Sequence, residues 1–183
     1  MMNKAYDLTT YTFSTKEPML LDTNVWLFLF PAPSNTPRGY VMKYSAAFKR
    51  MHAAGVYLPM DALILSEYLN RYCRIEWRAI YKNSHTEFKA FRQSSDFGPV
   101  GQAAAEYARY ILHLCTRHDH PFSTSDVDRA LSDFECAVCD FNDSLIIESC
   151  RRNGWKFVTD DADCMSGGIE VLTSNPRLLR ACP

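Results

Sequence analysis

The chain has 183 residues, close to the length of one typical domain. Apolar residues make up 47% and charged residues 22% of the chain, which are the proportions of a folded globular protein and exclude intrinsic disorder. The formal net charge is −1, which excludes a general polyanion-binding field, so any contact with nucleic acid must come from a local patch.

The sequence pattern also bears on localisation. No apolar run approaches the roughly 18 residues that a membrane-spanning helix needs, so we expect no membrane contact. The N-terminal residues lack a compact apolar segment, so we expect no signal peptide. The seven cysteines are an odd number and are scattered, which favours free, mostly buried thiols in a reducing cytoplasm over a disulfide framework or a zinc site. We therefore expect one cytoplasmic domain over residues 1–183.

The first part of the chain is predicted to alternate strands and helices. Residues 1–17 are polar and mixed, and we interpret them as an N-terminal lead-in. Two short apolar runs are typical of buried strands, and two segments between them have helical patterns, the second ended by Gly55. In chain order these elements are residues 18–22 (strand), 25–30 (helix), 41–54 (helix) and 56–60 (strand).

The middle of the chain is predicted to be mainly helical. A long helix covers about residues 61–82, and residues 83–100 are polar with interspersed Phe, which indicates an insertion, a loop or a broken helix. Apolar residues from 104 to 115 recur at helical spacing, the pattern of a helix that faces the core. Residues 121–123 are predicted to form a minor edge strand, and residues 125–138 a helix.

The last part of the chain repeats the helix–strand pattern. Residues 142–153 are predicted to be helical, and residues 155–159 and 169–173 are two further apolar strands. Short apolar strands that alternate with helices are typical of β-α-β units. The sequence therefore predicts an α/β fold in which helices cover both faces of a short parallel sheet.

Four carboxylates fall where such a sheet gathers ligands, beyond the carboxyl ends of its strands. Asp22 ends the first strand, and Asp161 follows the strand at 155–159. Glu67 and Asp143 lie in early turns of helices that begin on the same side, and helical side chains tilt toward the helix N-terminus. We therefore expect all four acids to converge in one pocket.

A cluster of this kind favours a hard divalent cation. Two carboxylates about 4 Å apart repel by roughly 4 kcal/mol at an effective dielectric near 20, so the cluster either holds protons or binds a cation. Ligands that are all oxygens select Mg²⁺ or Mn²⁺ over Zn²⁺. Of the three acids after the fourth strand, we expect Asp161 to bind the metal, Asp163 to be a second ligand, and Asp160 to point outward.

Each acid also has a structural alternative. Asp22 and Asp143 are placed to cap helices, where a carboxylate is favoured by the helix dipole. Glu67 fits a solvated position on its helix. Asp140 fits a helix cap or a group that supports the metal ligands without binding the metal.

Four motifs occur in a characteristic order: LLDTNVW, LSEYLN, DFNDSLIIESC and FVTDDAD. Together they resemble the PIN domain, over about residues 18–179. The resemblance implies a three-layer α/β/α sandwich with strand order 3-2-1-4-5 and metal-dependent cleavage of RNA or, in some branches, structured DNA. It implies that Asp22, Glu67, Asp143 and Asp161 are the catalytic and metal-binding acids. Three polar residues would support them: Asn24, Ser66 and Thr159.

Many bacterial members of the PIN family are the toxin half of a toxin–antitoxin pair, so the resemblance implies an antitoxin protein as one partner. The chain is longer than a minimal toxin and carries Cys164 where an aromatic residue is common. Residues 25–30 and 41–54 are candidates for an antitoxin or homodimer surface, with core packing as the alternative.

A basic stripe follows the second acid. Arg71, Arg74 and Arg78 recur at helical spacing and therefore share one helix face. We interpret them as binding an RNA phosphate backbone, with interleaved aromatic residues stacking on bases. The alternative is a solvated helix face over the edge of an aromatic core. The interleaved residues are Tyr68, Tyr72, Trp77 and Tyr81.

Two hypotheses follow for function. The first is a Mg²⁺- or Mn²⁺-dependent endoribonuclease that cleaves phosphodiester bonds with a metal-activated water. The second is a non-catalytic PIN-like module that binds RNA or protein and keeps the acids only as a weak metal site.

Overall fold

Short parallel strands and the helices between them make up most of the computed structural model, which describes residues 1–35, 39 and 41–182. The strands are β1 (Lys4–Asp7), β2 (Met19–Leu21), β3 (Pro59–Asp61), β4 (Thr116–His118), β5 (Lys156–Val158) and β6 (Glu170–Thr173). The helices are α1 (Thr23–Leu29), α2 (Val41–Ala54), α3 (Ala62–Glu76), α4 (Phe88–Arg92), α5 (Phe97–Leu114), α6 (Val127–Glu135), α7 (Phe141–Asn153) and α8 (Pro176–Ala181). The fold is α/β with parallel strands, as the sequence predicts.

Four strands form one parallel sheet in the order β1-β6-β5-β2, and β3 and β4 form a parallel pair. A parallel bridge between Pro18 and Tyr57 joins the two, and the amide of Met19 donates to the Tyr57 carbonyl at 2.9 Å. Leu21 is in register with Val158. Asp22 and Thr159 therefore emerge side by side at the carboxyl ends of β2 and β5.

The strands at the centre of the sheet are mainly apolar, apart from residues at their ends such as Lys156 and Glu170, because they are covered on both faces. All three residues of β2 are buried, and Val158, Val171 and Leu172 are fully buried in the neighbouring strands. Burying one such side chain contributes roughly 1.5–3 kcal/mol, so the strands that carry the site are among the best-anchored segments. Helix α1 also packs its Val25, Trp26 and Leu27 in this core, which favours core packing over a partner surface for these residues.

The N-terminal lead-in contains a strand that the sequence analysis missed. Residues Lys4–Asp7 form β1, which pairs in parallel with β6 at the edge of the sheet. Leu8 is fully buried after it, and Arg50 of α2 donates to the Leu8 carbonyl at 2.6 Å. The strand was missed because an edge strand with polar ends lacks the continuous apolar run that marks a buried one.

One prediction for the middle of the chain is wrong, and the structure makes two others more specific. Residues 121–123 are not a strand: Phe122–Thr124 form a 3₁₀ turn, and the strand lies earlier, at β4. Residues 83–100 follow the broken-helix alternative rather than the loop, because they contain α4 and the start of α5. The predicted helix at 61–82 divides into α3 and a π-helical turn at Trp77–Tyr81.

The thiol prediction is correct in part. All seven cysteines, which lie among the described residues, are free, but only three are buried, three are half-buried and Cys136 is exposed. None of the helices within residues 1–35 and 41–182 is long and apolar enough to cross a membrane.

Candidate active site

One open cleft of about 1060 Å³ lies beyond the carboxyl ends of β2 and β5. The four predicted acids all line it: Asp22, Glu67, Asp143 and Asp161. Four other residues named in the sequence analysis line it as well: Asn24, Arg71, Asp140 and Asp163. Parallel strands and the helices that follow them bring these distant segments to one rim.

Asp22 is held by the sheet and by two polar neighbours. Its amide donates to the Val158 carbonyl at 2.9 Å, which continues the pairing of β2 with β5. Its Oδ2 accepts hydrogen bonds from Asn24 Nδ2 at 2.6 Å and Thr159 Oγ1 at 2.5 Å. Asp22 stands at the N-cap position of α1, yet its carboxylate makes no capping bond within the described chain. Its side chain is therefore oriented toward the cleft rather than used as a cap.

The segment after β5 is ordered around the buried hydroxyl of Thr159. Thr159 Oγ1 gives its proton to Asp22 and accepts from the amide of Asp161 at 3.0 Å. Asp161 Oδ1 in turn accepts from the amide of Asp163 at 2.9 Å, and both acids are exposed. A single hydroxyl thus links the first acid to the segment that carries the fourth.

Glu67 is held by a residue that the sequence analysis did not name. Thr23, fully buried at the start of α1, donates from Oγ1 to Glu67 Oε2 at 3.0 Å. Arg71, one turn along α3, donates to Glu67 Oε1 at 3.2 Å. The only sequence signal for Thr23 is its position next to Asp22. Ser66 is exposed and does not line the cleft, so the structure gives no support for its predicted role beside Glu67.

Burial, with a further contribution from the neighbouring acids, raises the pKa of two of the acids. Burial raises the pKa of Asp22 to about 7, with further contributions from the charges of Glu67 and Asp143, against the opposing hydrogen bond from Thr159. The pKa of Asp143 is raised to about 6 by burial against the cleft wall and by Glu67 and Asp161, with Arg71 opposing. Full ionisation of the acids is therefore unfavourable in this cleft, and a bound cation would reduce the free energy needed to ionise them.

The acids share the cleft without forming a closed ligand cage. Within residues 1–35, 39 and 41–182, no three His, Cys, Asp or Glu side chains lie close enough together to hold one metal ion. Mg²⁺ commonly keeps several water ligands and binds only one or two carboxylates directly. The oxygen-only donors and the raised pKa of Asp22 fit an open, hydrated ion of this kind.

The three arginines of the basic stripe diverge. Arg71 lines the cleft beside Glu67, whereas the guanidinium of Arg74 lies 4.3 Å from the centre of the Phe88 ring. Arg78 is exposed on the π-helical turn and does not line the cleft. The base-stacking role predicted for the interleaved aromatics is wrong for three of them, which are buried in the core: Tyr68, Tyr72 and Trp77.

A second support that the sequence analysis missed is Tyr44 of α2, which is 1% exposed. Its hydroxyl accepts from the Ser174 amide at 3.1 Å and lies 2.8 Å from Asp160 Oδ1 and 3.0 Å from the Thr159 carbonyl, either of which can accept its proton. The sequence analysis predicted that Asp160 points outward into solvent. That prediction is wrong, because the Asp160 side chain faces Tyr44. Tyr44 anchors the segment that carries Thr159 and Asp161.

We expect Tyr44→Phe to lower the free energy of unfolding by about 1–2 kcal/mol, because it leaves the buried Ser174 amide without its acceptor. For a chain of this size that corresponds to a melting temperature lower by about 3–6 °C. Thermal denaturation followed by circular dichroism measures the shift. Tyr110→Phe is the matched control, because Tyr110 is 55% exposed. Equal melting temperatures for the two variants would contradict an anchoring role.

Comparison with known proteins does not assign the chain to a family: no protein-family model and no curated protein matches it. The resemblance to the PIN domain therefore depends on the four motifs and on the cleft residues that those motifs supply.

Proposed function

We propose that this protein is a Mg²⁺- or Mn²⁺-dependent endoribonuclease with a PIN-like fold. The observation that carries the proposal is the single cleft that Asp22, Glu67, Asp143 and Asp161 all line, with the pKa of Asp22 raised to about 7. Carboxylates that oppose their own ionisation at neutral pH are typical of cation-binding and catalytic sites.

The strand arrangement supports the PIN-like part of the proposal. If the bridge between Pro18 and Tyr57 joins the two sheets into one, the strands follow the order β4-β3-β2-β5-β6, with β1 added at the edge. Numbered from β2, this is the order 3-2-1-4-5 that the resemblance implies. Helices on both faces of this sheet would complete a three-layer sandwich.

The side chains of the cleft divide into ligands and the groups that hold them. Asp22 and Asp143 would bind the ion, assisted by Asp161, Asp163 and Glu67 through direct or water-mediated contacts. A bound divalent ion supplies Lewis-acid stabilisation of the phosphate and a more acidic water.

The groups that hold the ligands act through contacts already present in the fold. Asn24 and Thr159 fix Oδ2 of Asp22, and Thr23 fixes Glu67. Asp140 lies at the N-cap of α7 and adds negative charge near Asp143. Arg71 is the cation of the cleft lining that is placed to contact an RNA phosphate.

A second candidate function is a non-catalytic PIN-like module that binds RNA or protein. The observation that favours it is the absence of a compact three-ligand set among the described residues. A weak metal site would then be a remnant, and the cleft would serve recognition only.

Incubation of the protein with a mixed single-stranded RNA pool separates the two functions. We expect cleavage with Mn²⁺ or Mg²⁺ and none with EDTA, because phosphoryl transfer needs the charge of the ion. Gel electrophoresis of the RNA measures cleavage, and thermal denaturation with Mn²⁺ measures binding of the ion. Stabilisation by Mn²⁺ without cleavage of the pool would favour the binding module.

The resemblance also predicts a toxin role, with an antitoxin as partner, and a homodimer. These remain predictions of the resemblance. Residues 25–30 are a weak candidate for such a surface, since three of them are core residues.

A further inference from the structure

Helix α6 carries apolar side chains that the core does not use. Ala130 is the one buried residue of the helix. Leu131 and Phe134 within the helix are 46% and 55% exposed, and Val138, which lies just beyond its end, is 57% exposed. Phe134 and Val138 line the same cleft as the four acids. An exposed aromatic ring within a polar cleft has no packing role that explains it.

The end of α6 holds these two side chains in place. Ala137 adopts the left-handed conformation with φ 52°, a position that glycine usually fills at the end of a helix. The amide of Val138 donates to the Asp133 carbonyl at 2.9 Å, and the amide of Ala137 donates to the Phe134 carbonyl at 3.0 Å. The chain therefore turns back sharply, which fixes Val138 beyond Phe134 at the wall of the cleft.

The cleft lining thus combines two kinds of side chain. The acids suit a hydrated cation with a phosphate, and Phe134 and Val138 add an exposed aromatic ring and an apolar neighbour to the same lining. A ligand that satisfies both combines an anionic group with a flat apolar group. A nucleotide has this chemistry, and every base can stack on an aromatic side chain.

We infer that Phe134, flanked by Val138, stacks on the nucleobase adjacent to the phosphate that the acids engage. The inference deepens the proposed function and rests on it. Of the four aromatic residues predicted earlier for this role, Tyr68, Tyr72 and Trp77 are buried and Tyr81 does not line the cleft. Phe134 also differs from Phe122, which is 54% exposed but does not line the cleft.

The test measures RNA binding in an Asp143→Asn background, in which we expect turnover during the titration to be about 10²-fold slower. The probe is a fluorescein-labelled single-stranded oligoribonucleotide that contains all four bases. We expect Phe134→Ala to raise the dissociation constant about tenfold, within the range of one lost stacking contact. Phe134→Trp should restore binding, and Phe122→Ala, the matched exposed phenylalanine, should leave the dissociation constant unchanged.

Two further readouts separate stacking from a general loss of structure. The three native tryptophans are buried, so Phe134→Trp supplies an exposed fluorescent reporter, and RNA should quench its fluorescence. A matched oligomer of abasic (tetrahydrofuran) nucleotides removes the bases but keeps the phosphates. For each protein, the ratio of its dissociation constants for the abasic oligomer and for RNA measures the contribution of the bases. We expect this ratio to be about tenfold larger for the Asp143→Asn parent than for the same protein with Phe134→Ala.

Several outcomes would overturn the inference. Equal RNA binding by the parent and Phe134→Ala would exclude stacking. An Asp143→Asn chain that sediments as a dimer, with the added Phe134→Ala change making it monomeric and leaving RNA binding unchanged, would assign Phe134 and Val138 to contact with a second copy. If RNA binding depends on Phe134 but the unmutated chain does not cleave RNA, only the proposed nuclease function is refuted. If the protein does not bind RNA at all, both the nuclease function and base stacking by Phe134 are refuted.

Discussion

Asp22→Asn and Asp143→Asn should each reduce metal-dependent RNA cleavage by about 10²-fold or more, as expected when a group that stabilises charge at the reacting centre is lost. Asparagine keeps the size of the side chain but removes the negative charge that would hold the ion. Asp22 is the acid most firmly held, with Asn24 and Thr159 both bonded to its Oδ2. Initial rates on a labelled RNA at matched Mn²⁺ concentration measure the loss.

A control excludes misfolding and general charge effects. Glu106→Gln changes one exposed carboxylate on α5, outside the cleft, and should cleave at the wild-type rate. Circular dichroism should show that Asp22→Asn and Asp143→Asn are folded. Wild-type cleavage by both variants would refute the proposed nuclease site.

The second large effect is on stability as a function of pH in the absence of metal. The folded-state pKa of Asp22, about 7, lies above the ordinary value of 3.8, so the folded chain binds this proton more tightly than the unfolded chain does. The contribution of Asp22 to stability is therefore fully present below about pH 4 and is lost as the pH rises through about 7. Asp143, with a pKa of about 6, acts in the same direction.

In EDTA, we expect the free energy of unfolding of the wild-type protein to fall by about 1–3 kcal/mol between pH 5 and pH 8, relative to that of Asp22→Asn. One pKa unit corresponds to about 1.4 kcal/mol, and part of the effect is screened because the cleft is open to water. Asp143 is more exposed than Asp22, so we assign the effect mainly to Asp22. Urea denaturation of both proteins across this pH range measures the difference.

Mn²⁺ should reverse this loss, because a bound ion compensates the repulsion between the acids. At a concentration 100 times its dissociation constant, the ion would stabilise the wild-type chain by about 2.7 kcal/mol and Asp22→Asn by much less. Asp128→Asn, which changes an exposed acid on α6, should follow the wild type at every pH and Mn²⁺ concentration. Parallel pH profiles for the wild type and Asp22→Asn would contradict the raised pKa of Asp22.

Several elements were predictable from local patterns. Helix α2 has the predicted bounds, and β2 and β5 lie within the predicted strands, since a buried strand needs a continuous apolar run. The acids at the cleft followed from one topological rule, that parallel strands end at the same edge. Strand β1 and the 3₁₀ turn at Phe122–Thr124 were not predictable, because neither carries an apolar periodicity.

The contacts between distant segments could not be predicted. Thr23 next to Glu67 and Tyr44 next to Asp160 join residues that are far apart in the chain, and each side chain is of a type common in any core. The divergence of Arg74 from Arg71 depends on Phe88, which lies on α4.

The sequence by itself determined the α/β class and which carboxylates follow the strands, because apolar periodicity and element order are local properties of the chain. Only the tertiary structure decided how open the acidic cleft is, which aromatic residues are buried and that Phe134 lines the same cleft as the acids. These features depend on how helices pack across the sheet, and that packing is set by side chains too distant in sequence to show any spacing pattern.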